Sequence, residues 1–371
     1  MTRQLLPALL AFLFAFPSWA QDHREGFEEF NWRARSARLY SEAEMRLHYD
    51  KVKPADIQAW QKELRADIKE RLGVTRLEQS LAGYKPTGRM VDREQCDFGT
   101  RERWIIWTEP DVPLKCVILR PKGRSGKLPL VITPHGHNYN TELYAGICRD
   151  AHDSTSIEEG ERDIAVQAVK EGYIAIAPAT RGFGNTRLPS DIALGKGTSC
   201  RTLMVEDLLV GRTPVGDRVW DVMKLIDFAQ ENLPVDGKNI IVTGTSGGGT
   251  TTLFSGACDE RISVSAPSSY FCTFSGSIGS MRHCECNYIP GILNVCEMSD
   301  IGGLTAPRPI YIIHGIHDQI FPIEETRKAF GELKAIYKDA GVEDKCQIYE
   351  GQQGHRYYKE GIWPFVKQQL R

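Results

Sequence analysis

The sequence has no excess of basic residues and, beyond its first twenty residues, no long hydrophobic run. Its 46 Lys and Arg residues face 48 Asp and Glu residues, without a basic stripe. Nucleic-acid-binding proteins neutralise phosphates with clustered Lys and Arg, so we expect no nucleic-acid partner. The missing apolar run argues against a membrane-spanning segment in the remaining chain. The sequence also lacks internal repeats and low-complexity tracts, so no repeat architecture is expected.

The first twenty residues have the features of an export signal. Arg3 supplies a positive start, and the apolar run Leu5–Phe16 is too short to span a bilayer. Ser18-Trp19-Ala20 then places small residues at the positions that a signal peptidase reads. We therefore expect residues 1–20 to be removed and the chain to be exported to a periplasm or the extracellular medium. An uncleaved anchor is the alternative.

The ten cysteines all lie beyond this signal. An even number of cysteines in an exported chain predicts several disulfide bonds, although the sequence leaves the pairing open. His283-Cys284-Glu285-Cys286, with Cys272 and Cys296 nearby, is also a candidate metal site. Zinc sites usually use cysteine pairs separated by two to four residues. Disulfides are the favoured interpretation, and no metal or other cofactor is expected.

Residues 21–100 predict a helical extension that packs on the main domain. Pro54–Leu72 gives its clearest helix, because apolar residues recur on one face and Gly73 suits a helix stop. This segment shows no residues suited to ligand chemistry.

From residue 101 to 371, short Val- and Ile-rich runs alternate with helical patterns. This alternation predicts an α/β fold with a mostly parallel central sheet flanked by helices. Ligands of such sheets bind beyond the carboxyl ends of the strands. Residues 268–305 form a long Gly-, Ser- and Cys-rich insertion between two predicted strands, and we interpret it as a cap or lid over the site.

The five residues Gly244-Thr245-Ser246-Gly247-Gly248 predict a nucleophile elbow. The buried-strand pattern Ile240–Val242 precedes them and a helix-compatible segment follows, which is the strand–turn–helix context that G-x-S-x-G requires. The serine needs a strained turn that exposes its hydroxyl, and the glycines let strand and helix approach each other. Ser246 is the predicted nucleophile.

A serine hydroxyl needs a base, and that base needs an orienting acid. His355 follows the last predicted strand, and Asp318 follows the strand before it, so the order Ser–Asp–His fits this architecture. His317 is a competing base, although it precedes the acid. Asp300 and Glu324 are weaker candidates for the acid.

The developing oxyanion needs preorganised donors. The backbone N–H of Gly247, directly after the nucleophile, is the first predicted donor. The second is the N–H of His137, in the loop after the predicted strand Leu128–Thr133. His135 and Gly136 support that loop, because the glycine lets the chain turn.

On these motifs the chain resembles the α/β-hydrolases, and specifically the acetyl-xylan esterase and cephalosporin-C deacetylase group and its bacterial relatives. The resemblance covers residue 100 to the C-terminus, through His135-Gly136, Gly244–Gly248, Asp318 and His355. It implies an α/β-hydrolase fold and a serine esterase that works through an acyl-enzyme, with no cofactor.

Three departures from that group leave the substrate open. The group has an Arg-Gly-Gln element where this chain has Arg181-Gly182-Phe183, a Gln where this chain has Gly247, and His-Glu where this chain has His355-Arg356. Arg181 either braces the site or lies on the surface.

Short acyl esters, above all acetyl esters, of carbohydrate are the first expectation for an exported member of this group. Feruloyl or uronate methyl esters are the alternative. A serine peptidase of the prolyl-oligopeptidase type is less expected, because its propeller domain has no counterpart in residues 21–100. A catalytically inactive carbohydrate-binding protein is the remaining alternative.

Overall fold

The structure, a computed structural model, describes residues 33–137 and 140–370. The predicted export signal lies outside the described residues. The chain divides into two compact units, Met1–Glu42 and Ala43–Arg371. One helix, α1 (Arg33–Ser41), is described in the first unit. Within the described ranges, no helix is long and apolar enough to cross a membrane.

The second unit contains nine strands and the remaining helices. The strands are β1 (Thr87–Cys96), β2 (Gly99–Glu109), β3 (Val112–Pro121), β4 (Leu128–Ile132), β5 (Ile174–Pro178), β6 (Val235–Thr245), β7 (Val264–Ser268), β8 (Ile310–Gly315) and β9 (Cys346–Gly351). The helices are α2 (Tyr49–Val52), α3 (Ile57–Leu72), α4 (Val74–Ser80), α5 (Thr141–Tyr144), α6 (Ala151–Glu158), α7 (Ile164–Lys170), α8 (Pro189–Ala193), α9 (Cys200–Leu209), α10 (Pro214–Asn232), α11 (Gly247–Cys258), α12 (Met298–Gly303), α13 (Ile323–Asp339) and α14 (Lys359–Gln369).

All nine strands form one sheet in the order β1-β2-β3-β5-β4-β6-β7-β8-β9. Strand pairs from β5 through β4 to β9 are parallel, whereas β1, β2, β3 and β5 pair in antiparallel fashion. Buried Val, Ile and Leu residues cover both faces of the central strands, as a sheet enclosed by helices requires. The predicted α/β fold class is confirmed.

Strand β1 is the main departure from the expected helical extension over residues 21–100. Its residues are mostly exposed, so it lacks the apolar alternation that identifies a strand. Charged pairs across the antiparallel ladder stabilise it: Asp92 lies opposite Arg103, and Glu94 lies opposite Arg101. The extension is therefore helical only as far as Ser80, where α4 ends.

The helix predicted over Pro54–Leu72 corresponds to α3, which begins later, at Ile57. The side chain of Asp56 caps it by accepting a hydrogen bond from the Ala59 N–H at 3.0 Å. Gly73 ends it with φ 82°, a left-handed conformation that favours glycine. Its buried stripe belongs to the same hydrophobic core as α11 and α13; the α3 members are Trp60, Leu64, Ile68 and Leu72.

The insertion after β7 has little regular structure apart from α12 and short 3₁₀ turns, one of them at Glu285–Asn287. A capping box starts α12: the Glu297 side chain accepts from the Met298 N–H, and the Asp300 side chain accepts from the Glu297 N–H. Much of the insertion is buried, and its middle part reaches the carboxyl ends of the parallel strands.

Candidate active site

Ser246 lies at the tight turn between β6 and α11. Its φ of 58° and ψ of −121° place a non-glycine residue in a rarely populated region, a conformation that costs about 1–3 kcal/mol. Residues on both sides hold the turn, because the Ser246 N–H donates to the Ser268 carbonyl oxygen at 2.9 Å and the Thr250 N–H donates to the Ser246 carbonyl oxygen at 2.9 Å. This is the backbone conformation of a nucleophile elbow, and Ser246 lines a pocket.

The glycines around this serine are needed because the loop after β4 lies directly against the turn. A Cβ at Gly248 would lie 2.0 Å from the Pro134 carbonyl oxygen, and one at Gly244 would lie 2.3 Å from the same atom. A Cβ at Gly136, on the loop itself, would lie 2.8 Å from the Thr245 carbonyl oxygen. Since real Cβ contacts are never this short, no larger residue fits without moving the turn.

Asp318 and His355 form a hydrogen-bonded pair. The Oδ2 atom of Asp318 lies 2.7 Å from Nδ1 of His355. Its Oδ1 atom accepts from the N–H groups of Ile320 and Phe321 at 2.9 and 3.1 Å. Burial alone would raise the pKa of Asp318, but these partners, led by His355, hold it below its usual value. The carboxylate is therefore ionised and positions Nδ1 as a donor, which leaves Nε2 as the ring's acceptor.

Ser246 and His355 line one pocket of about 290 Å³. The pocket lies beyond the carboxyl ends of the parallel strands, where α/β sheets bind ligands. Polar and apolar groups both line it; the other lining residues are His137, Gly247, Thr250, Tyr270, Arg282, His283, Cys284, Asn287, Ile320 and Phe321. Residues 268–305 contribute five of these, so this segment forms part of the pocket wall.

The competing candidates for base and acid lie elsewhere. His317 is exposed and does not line the pocket. Asp300 binds a different histidine, since its Oδ2 atom lies 2.8 Å from Nδ1 of His48. Glu324 pairs with Arg327 on the surface of α13.

The two predicted oxyanion donors are neighbours. Gly247 is the first residue of α11, so its N–H lies at the positive end of a helix. The two residues lie side by side, because a Cβ at Gly247 would lie 3.3 Å from the Nδ1 atom of His137. His137 also lines the pocket.

His135 joins the loop after β4 to the end of β5. Its Nε2 accepts from the Thr180 N–H at 3.0 Å, and its Nδ1 lies 3.0 Å from the Gly136 carbonyl oxygen. Burial lowers its pKa to about 4, so the ring is neutral at pH 7. His135 thus contributes packing and hydrogen bonds rather than proton transfer.

Arg181 is not a surface arginine. Its guanidinium is buried against three carboxylates, with the closest contacts 2.6 Å to Glu109, 2.6 Å to Asp221 and 3.2 Å to Asp217. It does not line the pocket. Its backbone carbonyl oxygen accepts two hydrogen bonds from Arg218, at 2.8 and 3.1 Å, which links this ion network to residues beside the pocket.

The predicted disulfides are not confirmed, since all ten cysteines, each within the described residues, have free thiols. Five of the ten are packed among apolar core residues: Cys116, Cys258, Cys272, Cys296 and Cys346. The candidate metal cluster around His283 also differs from its expected composition. His283 hydrogen-bonds Ser277 at 3.0 Å, and Cys272 and Cys296 are core residues.

Among the aromatic residues of the insertion, Tyr270 is the one that lines the pocket. Phe271, Phe274 and Ile289 belong to the core, and Tyr288 is exposed. Thr250, Asn287 and Arg282 line the pocket without having been predicted. Thr250 lies four residues after Ser246, and this helical spacing is the one signal that could have identified it.

The chain has the α/β-hydrolase fold. No protein-family model matches the sequence. A curated relative, the candidate hydrolase YtaP of Bacillus subtilis (strain 168), is 28% identical over 287 residues, which cover 74% of this chain and 90% of YtaP.

Solved structures with the same fold include carbohydrate esterases. A candidate acetyl xylan esterase from Bacteroides fragilis NCTC 9343 superposes with a TM-score of 0.71 at 20% identity, covering 88% of this chain and 82% of that one. A glucuronoyl esterase from Solibacter usitatus gives a TM-score of 0.58 at 14% identity, covering 77% and 86%. At these sequence identities the structural similarity establishes a shared fold alone.

Proposed function

We propose that the chain is a serine ester hydrolase in which Ser246 is the nucleophile, His355 the base and Asp318 the orienting acid. The observation that carries this proposal is the 2.7 Å hydrogen bond between Asp318 and His355, at the pocket that also contains the strained Ser246. A strained turn at a nucleophile and a buried carboxylate behind a histidine are both costly to maintain without a use.

The reaction proceeds in two steps. His355 Nε2 takes the Ser246 hydroxyl proton while Oγ attacks the ester carbonyl carbon, and the same proton then goes to the departing alcohol. A water molecule gives its proton to His355, attacks the acyl-enzyme and releases the acid, which returns Ser246 to its hydroxyl form. The N–H groups of Gly247 and His137 stabilise the oxyanion in both steps.

The substrate class is an acylated carbohydrate, with a short acyl group such as acetyl. The small volume of the pocket, about 290 Å³, favours a short acyl chain over a long one. A second surface pocket of about 360 Å³ shares His355 and is lined by polar groups that suit sugar hydroxyls; among them are His152, Glu159, Gln353 and Arg356. The carbohydrate esterases with the same fold agree with this class.

Uronate esters form the second candidate class. Arg282 is an exposed cation that lines the pocket, and a cation there would attract a substrate with acidic neighbours. Glucuronoyl esterases and a methylesterase also share the fold.

A substrate panel separates these classes. We expect the highest kcat/KM with acetyl esters and acetylated xylan, and lower values with butyryl, feruloyl and uronate methyl esters. Replacing Arg282 with Gln should change acetyl-ester turnover less than twofold. If Arg282→Gln lowers uronate methyl ester turnover tenfold and that ester is the best substrate, the second class is correct. Cleavage of peptides without cleavage of esters would instead identify a peptidase.

Three substitutions test the catalytic assignment. Ser246→Ala and His355→Ala should each lower kcat by about 10⁴-fold or more, and Asp318→Asn by about 10³–10⁴-fold, with little change in KM. Because Ser125 is exposed and remote from the pocket, Ser125→Ala is the matched control and should retain full activity. Normal turnover by Ser246→Ala would refute the proposal, and a chain that binds acetylated xylan without hydrolysing it would be a binding protein.

Export is part of the same proposal, because it gives the enzyme access to polysaccharide. N-terminal sequencing of the chain recovered from the culture medium or periplasm should begin near Gln21.

A further inference from the structure

Three thiols and one imidazole converge beside the pocket from three separate segments of the chain. His137 follows β4, Cys200 begins α9, and Cys284 and Cys286 belong to the insertion. Their four ligand atoms, three Sγ atoms and one imidazole nitrogen, all lie within 4.8 Å of one another. We propose that these four residues bind one divalent metal ion, and that Zn²⁺ is the ion that their chemistry suits.

The spacing of the ligand atoms agrees with tetrahedral coordination. Sγ of Cys286 lies 3.5 Å from Sγ of Cys284 and 3.5 Å from Nε2 of His137, and Sγ of Cys200 lies 3.7 Å from the same nitrogen. Tetrahedral zinc, with bonds of about 2.3 Å to sulfur and about 2.0 Å to nitrogen, separates its ligand atoms by roughly 3.5–3.8 Å. The side chains therefore need little movement to enclose the ion.

A disulfide explains the cluster less well. Two bonded sulfur atoms lie about 2.05 Å apart, whereas the sulfur atoms of Cys284 and Cys286 lie 3.5 Å apart. Three thiols also cannot all pair with one another, so one would remain beside the histidine without a bond. A metal ion uses all four groups.

Arg218 supplies an independent observation, because it is a buried cation without a carboxylate partner among the described residues. Its guanidinium carbon lies 4.1 Å from the centre of the Phe183 ring, and Nη2 lies 3.5 Å from Sγ of Cys200. A buried charge is costly unless an opposite charge compensates it. Three thiolates around Zn²⁺ carry one net negative charge, which the Arg218 charge balances.

Four protein ligands leave no open coordination position, so the ion would be structural and take no part in bond making. It would tie the insertion and α9 to the loop that carries His137. Coordination through Nε2 would also fix this ring as the Nδ1–H tautomer. His137 and the three cysteines are then positioning residues, whose binding of metal does not depend on the proposed esterase activity.

Metal analysis of the purified full-length chain tests the site directly. Inductively coupled plasma mass spectrometry should find about one zinc per chain in the wild-type protein and in Ser246→Ala. Cys200→Ser and Cys286→Ser should each lower the zinc content at least fivefold. Cys148→Ser is the control, because Cys148 is exposed and outside the cluster, and it should retain the wild-type content.

Cobalt substitution identifies the ligands. The wild-type protein refolded with Co²⁺ should show sulfur-to-cobalt charge-transfer absorption, which Cys286→Ser weakens. Wild-type protein without bound metal after purification and after refolding with Zn²⁺ would overturn the proposal. A disulfide between any two of Cys200, Cys284 and Cys286, found by peptide mapping, would overturn it as well. Both results come from the wild-type chain, so a variant that fails to fold does not weaken the test.

Discussion

At the scale of single residues, the site depends on how closely the loop after β4 approaches the nucleophile turn. A Cβ at Gly136 would lie 2.8 Å from the Thr245 carbonyl oxygen and 3.1 Å from the Ser246 Cβ. Backbone atoms form most of this contact, so they cannot rotate away as a flexible side chain could. Gly136 therefore sets how closely the loop that carries His137 approaches Ser246 and Gly247.

Gly136→Ala should accordingly lower kcat at least tenfold, because the added methyl group displaces the loop and a displacement of about 1 Å costs about 10²-fold in rate. Steady-state kinetics with an acetyl ester measures the effect. Gly197→Ala is the control, since no atom lies within 4 Å of its added Cβ. Equal activity of the two variants would contradict the close approach.

The buried ring of His135 makes the stability of the folded chain depend on pH. Burial lowers its pKa to about 4 in the folded chain, against about 6.5 in the unfolded chain. Between these values the unfolded chain binds the proton and the folded chain does not, so stability is complete above about pH 6.5 and falls toward pH 4. This residue alone should contribute a loss of about 3 kcal/mol.

Denaturant unfolding at pH 7 and at pH 4.5 measures this loss. His135→Asn removes the titrating ring, so the variant should lose less stability between the two pH values than the wild-type chain. His152→Asn alters an exposed histidine and should follow the wild-type chain. An unchanged loss in His135→Asn would assign the pH dependence to other groups.

At the scale of elements, apolar patterns predicted the central strands well, because a strand buried on both faces must be continuously apolar. Ile240–Val242 lies inside β6, and the expected strand at Leu128–Thr133 is β4 with one residue fewer. The patterns failed at β1, whose exposed residues are stabilised by charged pairs with β2. These partners lie only 7 and 11 residues apart across a hairpin, but they are charged, so a search for apolar alternation does not detect them.

The insertion shows a second limit of local sequence patterns. Its length and composition identified it, but its role depends on contacts with residues that are far away in the sequence. Cys286 lies beside His137, and both belong to one cluster with Cys200. Local spacing instead suggested His283, which contacts Ser277. A ligand set assembled from three segments cannot be identified from the spacing within one of them.

Helix α13 contains a glycine that can be replaced to stabilise it. Gly331 lies in its interior and is exposed, and no atom approaches a Cβ placed there. Gly331→Ala should raise the free energy of unfolding by about 0.5–1 kcal/mol, because alanine loses less backbone entropy in a helix. Thermal unfolding checks this. A lower midpoint than that of the wild-type chain would contradict the described helix.

At the scale of the whole molecule, residues 43–80 belong to the core of the second unit rather than decorating it. Trp60, Leu64, Ile68 and Leu72 are buried in one cluster with α11 and α13. Each buried side chain of this size contributes about 1.5–3 kcal/mol, and a domain is stable by only about 5–15 kcal/mol in total. Removing the segment should therefore remove most or all of the net stability.

A chain that begins at Lys85 should fail to show a cooperative thermal transition by circular dichroism, whereas the full-length chain shows one. Helix α11, which begins directly after Ser246, packs on α3. Esterase activity should therefore be lost as well. Cooperative unfolding of the shortened chain near the full-length midpoint would mean that the helical segment is dispensable.

The proposed reaction requires that Ser246 becomes acylated. Labelling with a fluorophosphonate, followed by peptide mass spectrometry, detects this reactivity, because the reagent bonds irreversibly to a serine that a neighbouring base activates. We expect one adduct per chain on the peptide that contains Ser246, much slower labelling of His355→Ala and none of Ser246→Ala. An adduct on another residue, such as Cys284 in the same pocket, or ester hydrolysis by a chain whose Ser246 stays unlabelled, would refute the assignment of Ser246 as the nucleophile.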